Sequence, residues 1–119
     1  MPKQIILYNL QDGVAPDDYI KWVETFKGPL LLNLPSAKSY TLLQMKGGKT
    51  GDGQNGVMPE DTPSPYQFIG IMEVTSAEEW IRDTQTDAYQ KEFFPQFFKK
   101  WGAKFYAILG DVVYSGESG

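Results

Sequence analysis

The chain has 119 residues and a net charge of −4, with 11 Lys and Arg against 15 Asp and Glu, which predicts one domain with one core. The acidic balance argues against nucleic acids and anionic membrane surfaces as partners, because their phosphates would be repelled. The absence of cysteine excludes disulfides, thiolate catalysis and Cys-ligated zinc. The absence of histidine excludes histidine-based catalysis and haem ligation by histidine.

The first half of the chain predicts a strand, a helix and a second strand. Residues 3–10, KQIILYNL, form an apolar run that ends in turn residues, as a strand does. Pro16 suits the first turn of a helix, and apolar residues at helical spacing extend that helix to Phe26. Gly28-Pro29 is expected to interrupt it, with Leu30 to Leu34 as a possible further turn. The second strand is expected from Ser39 to Met45.

Residues 47–65, GGKTGDGQNGVMPEDTPSP, predict a long flexible loop, either a lid over a pocket mouth or a simple connector. A third strand follows from Tyr66 to Val74. Ser76 and Glu79 then form a capping box at the start of a second helical region. Pro95 should break or kink that region into two segments.

The chain closes with a predicted strand from Lys104 to Tyr114 and a polar tail, residues 115–119. The order strand, helix, strand, strand, helix, strand predicts an α+β domain over residues 1–119 with a ferredoxin-like arrangement. In that arrangement, helices cover one face of a four-stranded antiparallel sheet. No apolar run approaches the ~20 residues that cross a bilayer, so we expect a cytoplasmic protein.

The predicted strands are apolar on both faces, which is unusual for a sheet with one face in water. In the third strand, Met72 and Val74 lie on one face while Ile69 and Ile71 lie on the other. Two helices cover only one face, so we expect the other to pack against a second copy of the chain and to close a cavity between two sheets. A monomer with an apolar sheet is the alternative.

Ligand cavities are mostly apolar with a few placed polar groups, so the polar residues of these strands are the candidates for its wall. They are Tyr8, Tyr40, Gln44, Gln67, Glu73 and Tyr106. Burial would make Glu73 a usable general acid or base, with an ion pair at the strand end as the alternative. Tyr8, Tyr40 and Tyr106 could donate hydrogen bonds to a substrate carbonyl or oxyanion, or they could pack in a core or interface.

Two residues of the first helix complete the candidate site. Trp22 is a candidate substrate-binding residue, although its place on an apolar helix face favours core packing. Lys27 could bind an anion or form a Schiff base, but a lysine at a helix end is expected to be solvated.

The segments YQFIGIMEVTSAEEWIRDTQTDAYQKEF and DDYIKWVETFKGPLLLNLPSAKSYTL resemble the dimeric α/β-barrel superfamily. Within it, the chain resembles the RedY-like protein HapK family, which is associated with the biosynthesis of prodiginines, tripyrrole pigments. The resemblance implies a homodimer with a hydrophobic pocket for an aromatic or pyrrolic intermediate. Several related families place a histidine near the end of the first helix, where this chain has Phe26-Lys27-Gly28-Pro29.

Two functions follow from these observations. The first is a cofactor-independent enzyme of secondary metabolism, in which Glu73 and the tyrosines carry the proton chemistry. The second is a non-catalytic binding or accessory protein that shelters an intermediate or supports a biosynthetic partner. A third class, a structural dimerisation module, would have a filled barrel. None of these predicts a metal site.

Overall fold

The computed structural model describes residues 1–46, 48–49, 61–62 and 65–119. Its strands are β1 (Lys3–Leu10), β2 (Ala37–Gln44), β3 (Gly48–Lys49), β4 (Asp61–Thr62), β5 (Phe68–Val74) and β6 (Gly102–Gly110). Its helices are α1 (residues 16–32), α2 (Ala77–Asp83) and α3 (residues 88–101). No helix in the described ranges is long and apolar enough to cross a membrane.

The main sheet has the order β2-β5-β1-β6, and every neighbouring pair is antiparallel. The two central strands are therefore β1 and β5. Each of them is followed by a helical crossover that leads to an edge strand, β2 or β6. This confirms the predicted ferredoxin-like α+β fold. The predicted 47–65 loop lies largely outside the described residues. Within it, the described strands β3 and β4 form a two-residue antiparallel ladder.

The helices pack on one face of this sheet and bury an aromatic core. Tyr8 of β1 and Phe68 of β5 are fully buried there, with ring centroids 5.8 Å apart. Tyr19 of α1 meets Phe68 edge to face at 5.2 Å. Such aromatic pairs bury large areas in defined geometries, so they fix how the helices sit on the sheet.

The opposite side of the sheet, here called the open face, is formed by two rows of directly paired residues. They are Leu43, Ile69, Leu7 and Tyr106 in one row and Thr41, Ile71, Ile5 and Ile108 in the other. Leu43, Tyr106 and Ile108 are 41%, 59% and 42% exposed. The expected second apolar face therefore exists, and these large side chains on it remain in contact with solvent.

Helix α1 is longer than the sequence predicted, because Gly28-Pro29 does not interrupt it. A π-helical segment, Val23–Lys27, continues directly into a last α-helical part, Gly28–Leu32. The Gly28 amide donates to the Val23 carbonyl, and a Cβ at residue 28 would lie 2.8 Å from that oxygen. Glycine therefore fits this close turn. A π turn already leaves one carbonyl without an α-helical donor, so the missing amide of Pro29 removes no further hydrogen bond.

Pro95 is accommodated in the same way, and the predicted break at this residue is wrong. The Phe94 amide donates to the Tyr89 carbonyl five residues earlier, and Pro95 follows immediately. Helix α3 consists of π-helical segments at Ala88–Phe93 and Phe97–Trp101 around a short α-helical part. The interruption of the second helical region instead lies between α2 and α3, where the Thr84 hydroxyl donates to the Ile81 carbonyl at 2.6 Å.

The remaining boundaries differ by a few residues. Ser76 caps α2 as predicted, since its hydroxyl oxygen accepts the Glu79 amide at 3.1 Å. The last strand begins at Gly102, directly after α3, and ends at Gly110 rather than at Tyr114. Residues 111–119 have no regular secondary structure and are exposed.

Candidate functional site

The candidate site is organised around a buried lysine. Lys27 is only 4% exposed, so the expectation that this lysine is solvated is wrong. Its amine nitrogen donates hydrogen bonds to the Tyr19 hydroxyl at 2.8 Å and to the Tyr8 hydroxyl at 3.3 Å. It also lies 4.8 to 5.7 Å from the centroids of five aromatic rings: Tyr8, Tyr19, Tyr40, Phe93 and Phe97.

Desolvation controls the charge of this amine. Burial lowers the pKa of Lys27 to about 7, because an ammonium group loses its hydration there. The surrounding rings attract a cation, but no carboxylate of the described residues pairs with it. Near neutral pH the amine is therefore divided between its charged and neutral forms.

Three tyrosine hydroxyls lie near this amine. The Tyr8 and Tyr19 hydroxyls share a hydrogen bond of 2.5 Å. Burial raises the pKa of both groups far above the ordinary value, and it does the same for Tyr40. The Tyr40 hydroxyl is buried without a hydrogen bond of good geometry to the described residues, although the neighbouring Tyr8 contributes to the rise in its pKa. All three therefore stay protonated and can donate.

The amine lies where two hollows meet between the sheet and the helices. The inner one, here called the lysine niche, has a volume of about 20 Å³ and is lined by Tyr8, Tyr40 and Leu31 among others. This is room for about one water molecule. The outer one, the aromatic groove, has a volume of about 250 Å³. Lys27 lines both. The aromatic groove is lined largely by rings, namely Trp80, Tyr89, Phe93, Phe94, Phe97, Phe98 and Phe105.

The π-helical segments bring these side chains together. The buried residues of α1 are Tyr19, Val23, Lys27 and Leu31, one every four residues. In a regular α-helix each step of four turns the side chain by about 40° beyond a full circle, so three steps would spread the stripe over about 120°. The wider π turn reduces this drift and keeps Lys27 on the buried side.

The same spacing recurs in α3, where Tyr89, Phe93 and Phe97 are buried and Trp101 is half-buried. Both helices therefore present straight stripes to the sheet, and the aromatic groove runs beside the α3 stripe.

Of the residues predicted from the sequence, Tyr8, Tyr40 and Lys27 come together at this site. Trp22 lies behind it, stacked against Phe93 and Trp101 with centroids 6.2 and 5.5 Å away. Trp22 therefore packs in the core, which was the alternative to its predicted role in substrate binding.

Gln44 lies elsewhere on the helix side, lining a separate and more open pocket with Val23 and Phe68.

Glu73 and Tyr106 lie on the open side of the sheet, whereas Gln67 lies directly before β5. Glu73 pairs in register with Lys3, and Tyr106 pairs with Leu7. The Gln67 side-chain oxygen accepts the Leu10 amide at 2.6 Å, which ties β5 to the end of β1. None of these three lines the lysine niche or the aromatic groove.

Sequence reasoning did not select Tyr19, Gln4 or the rings of α3 as site residues. The spacing of four from Tyr19 to Leu31 is the signal that could have found the site, because it places Lys27 on the buried stripe. Gln4 lines both the lysine niche and the aromatic groove, and its side chain offers an amide to a ligand.

The chemistry available here is that of an amine and hydroxyls among aromatic rings. No cluster of three or more metal-ligating side chains occurs in the described part of the chain. The site can bind a flat apolar molecule, and it can exchange a proton with it or form a bond through the Lys27 amine.

Comparisons with known proteins agree with the fold. The family model described as "REDY-like protein HapK" matches residues 2–113. The crystal structure of HapK from Hahella chejuensis superposes with a TM-score of 0.70 at 17% identity, covering 100% of this chain and 99% of that chain. No curated protein matches the chain.

Two further solved structures are similar. One is a dimeric ferredoxin-like protein of unknown function from Thermobifida fusca, with a TM-score of 0.60, 16% identity, and coverage of 93% of this chain and 90% of that chain. The other is an antibiotic biosynthesis monooxygenase, with a TM-score of 0.57, 16% identity, and coverage of 96% and 100% respectively. At these identities the similarity establishes the shared fold.

Proposed function

This chain belongs to the REDY-like protein HapK family, and on that basis we propose that it is a small-molecule-binding protein of secondary-metabolite biosynthesis. Its ligand is a flat, hydrophobic, aromatic or pyrrolic intermediate, of the kind from which prodiginine-like pigments are made. The observation that carries the proposal is the aromatic groove that ends at the amine of Lys27. Its volume of about 250 Å³ is close to the lower end of the roughly 300–1,000 Å³ typical of ligand sites.

We propose that the protein acts as a cofactor-independent enzyme on this ligand. An amine with a pKa of about 7 can take and return a proton near neutral pH. General acid–base catalysis is most effective when the pKa of the group lies near the working pH. The Tyr8 and Tyr19 hydroxyls can stabilise negative charge that develops on a ligand oxygen. Holding the ligand against these groups adds the advantage of proximity.

The accessory role is the second candidate, and one observation favours it. The lining rings outnumber the polar groups, as suits a protein that shelters an apolar intermediate without converting it. Glu73 and Tyr106 lie on the open face, outside this groove. We still propose them for proton chemistry in a site that a second subunit would complete between the two sheets.

We also propose a homodimer formed by the open faces of two copies. The open face carries paired rows of Ile, Leu and Tyr side chains, three of them about two-fifths to three-fifths exposed. Contiguous apolar surface of this kind is typical of protein interfaces. The similar structure from Thermobifida fusca is described as dimeric.

The test of binding uses the purified protein with a panel of bipyrrole and aromatic compounds, read by native mass spectrometry. Ala107→Trp should fill the aromatic groove and abolish binding, whereas Phe105→Ala should widen it and admit larger ligands, since both side chains line it. Product formation identifies an enzyme, and binding without product identifies the accessory role. Binding that is the same in both variants and the natural protein would refute the groove as the ligand site.

A further inference from the structure

We propose that Lys27 is a nucleophilic lysine that forms a Schiff base with the carbonyl group of an aromatic aldehyde held in the aromatic groove. The inference rests on the proposed binding function and names the chemical class of its ligand. The site would then use covalent chemistry rather than proton transfer alone.

The placement of the amine supports this role. Lys27 lines both the lysine niche and the aromatic groove, so its nitrogen lies where the end of a flat ligand would reach. The ring of such a ligand would lie among Tyr89, Phe93 and Phe105, and its carbonyl would point into the niche. The niche has room for about one water-sized group, which matches a carbonyl oxygen.

The hydrogen bonds of the amine leave its reactive electron pair available. A neutral amine has two N–H groups and one lone pair. Lys27 donates to two oxygens, those of Tyr8 and Tyr19, which uses both N–H groups. Desolvation supports the neutral form, because it is the cause that lowers the pKa of this lysine. Lysines desolvated in apolar pockets are the type that reacts with carbonyl substrates.

The reaction balances without an oxidant or reductant. The Lys27 nitrogen attacks the carbonyl carbon, a C–N bond forms, and the carbonyl electron pair moves to the oxygen. Proton transfer from nitrogen to that oxygen gives a carbinolamine. Loss of the hydroxyl group with a further proton releases one water and leaves a C=N bond. Tyr8 and Tyr19, hydrogen-bonded to each other and to the amine, can pass these protons, since both stay protonated at neutral pH.

A competing use of the same amine is an ion pair with an anionic ligand. The five rings around the amine favour a cation. However, no acidic residue of the described chain compensates the charge, and burial works against it. The observations therefore favour the aldehyde, and the ion pair becomes an outcome of the test.

The experiment treats the full-length protein with pyrrole-2-carbaldehyde and sodium cyanoborohydride, which reduces an imine to a stable secondary amine. Intact mass and peptide mapping locate the adduct. We expect one adduct per chain at Lys27, its loss in Lys27→Met and Lys27→Arg, and its retention in Lys21→Met, which removes an exposed lysine of the same helix. Mapping on the natural protein decides the site even if a Lys27 variant fails to fold.

The outcomes separate this inference from the proposed function. Tryptophan fluorescence reports non-covalent binding of the aldehyde and of 2-methylpyrrole, which has no carbonyl. Binding of both without an adduct would overturn the Schiff base and leave the proposed function standing. Adducts spread over exposed lysines would also overturn it, as would preferred binding of pyrrole-2-carboxylate through an ion pair with Lys27. Absence of both binding and adduct would count against the proposed function as well.

Discussion

Replacing Lys27 by methionine should change how the stability of the protein depends on pH. The pKa of this lysine is about 7 in the folded protein and 10.5 ordinarily. Between those values the unfolded chain binds more protons than the folded chain. The free energy of unfolding of the natural protein should therefore rise with pH, by up to about 1.4 kcal/mol per pH unit and by about 2 kcal/mol between about pH 7 and pH 9.

Lys27→Met removes this titration, and methionine is long and flexible enough to fill the same space. The difference in stability between variant and natural protein should be largest below about pH 7, in favour of the variant, and should shrink by about 2 kcal/mol toward pH 9.

Urea unfolding at a series of pH values, followed by tryptophan fluorescence, measures this difference. Taking the difference cancels the titration of groups that both proteins share. Lys21→Met is the matched control, because it makes the same substitution at an exposed position of the same helix. Parallel profiles for Lys27→Met and the natural protein would refute the desolvation of Lys27.

Three further changes test other parts of the structure. Gly102→Ala should destabilise the protein by about 1–3 kcal/mol in urea unfolding, because its Cβ would lie 2.4 Å from the buried ring of Phe97; an unchanged midpoint would contradict that close packing. Ser76→Ala should reduce stability by about 1 kcal/mol through loss of the helix cap, measured in the same assay, and rescue by Ser76→Asp would separate capping from side-chain bulk. Ile69→Lys on the open face should convert the proposed dimer to a monomer in light scattering, whereas Ile81→Lys, at an exposed isoleucine of α2, should not; a dimer in both variants would place the interface elsewhere.

The fold could be predicted because its signals are local. The turn residues after β1 and the capping pair Ser76 and Glu79 each lie beside the end of the element that they mark. The resulting order of strands and helices is enough to predict a ferredoxin-like sheet. The long-range register then follows from the need to bury one face of each strand.

The helix interiors were harder, because proline and glycine usually end α-helices. Here Pro29 and Pro95 each follow the residue that donates the five-residue hydrogen bond of a π turn. Ending the first helix at Phe26 placed Lys27 at a solvated end, although its spacing of four from Val23 already indicated burial.

The candidate site could be predicted only in part, because the face of a strand residue depends on pairing between distant segments. Tyr8 and Glu73 both interrupt apolar strands, and the sequence offered no reason to separate them. Glu73 pairs with Lys3, which is an odd number of residues from Tyr8 on the same strand, so the two side chains lie on opposite faces. The burial of Lys27 likewise depends on Tyr40 of β2 and on Phe93 and Phe97 of α3, which come from two other parts of the chain.

The wide turn of α1 also makes the site tolerant of a change in chain length. Removing one residue between Val23 and Lys27 would replace the π turn by regular α-helix. Tyr19 and Leu31 would then be eleven residues apart, and eleven residues at about 100° each complete three turns to within about 20°. Leu31 would therefore stay on the side of the helix that carries Tyr19. Related chains with one residue fewer in this helix can keep the same buried stripe without the π turn.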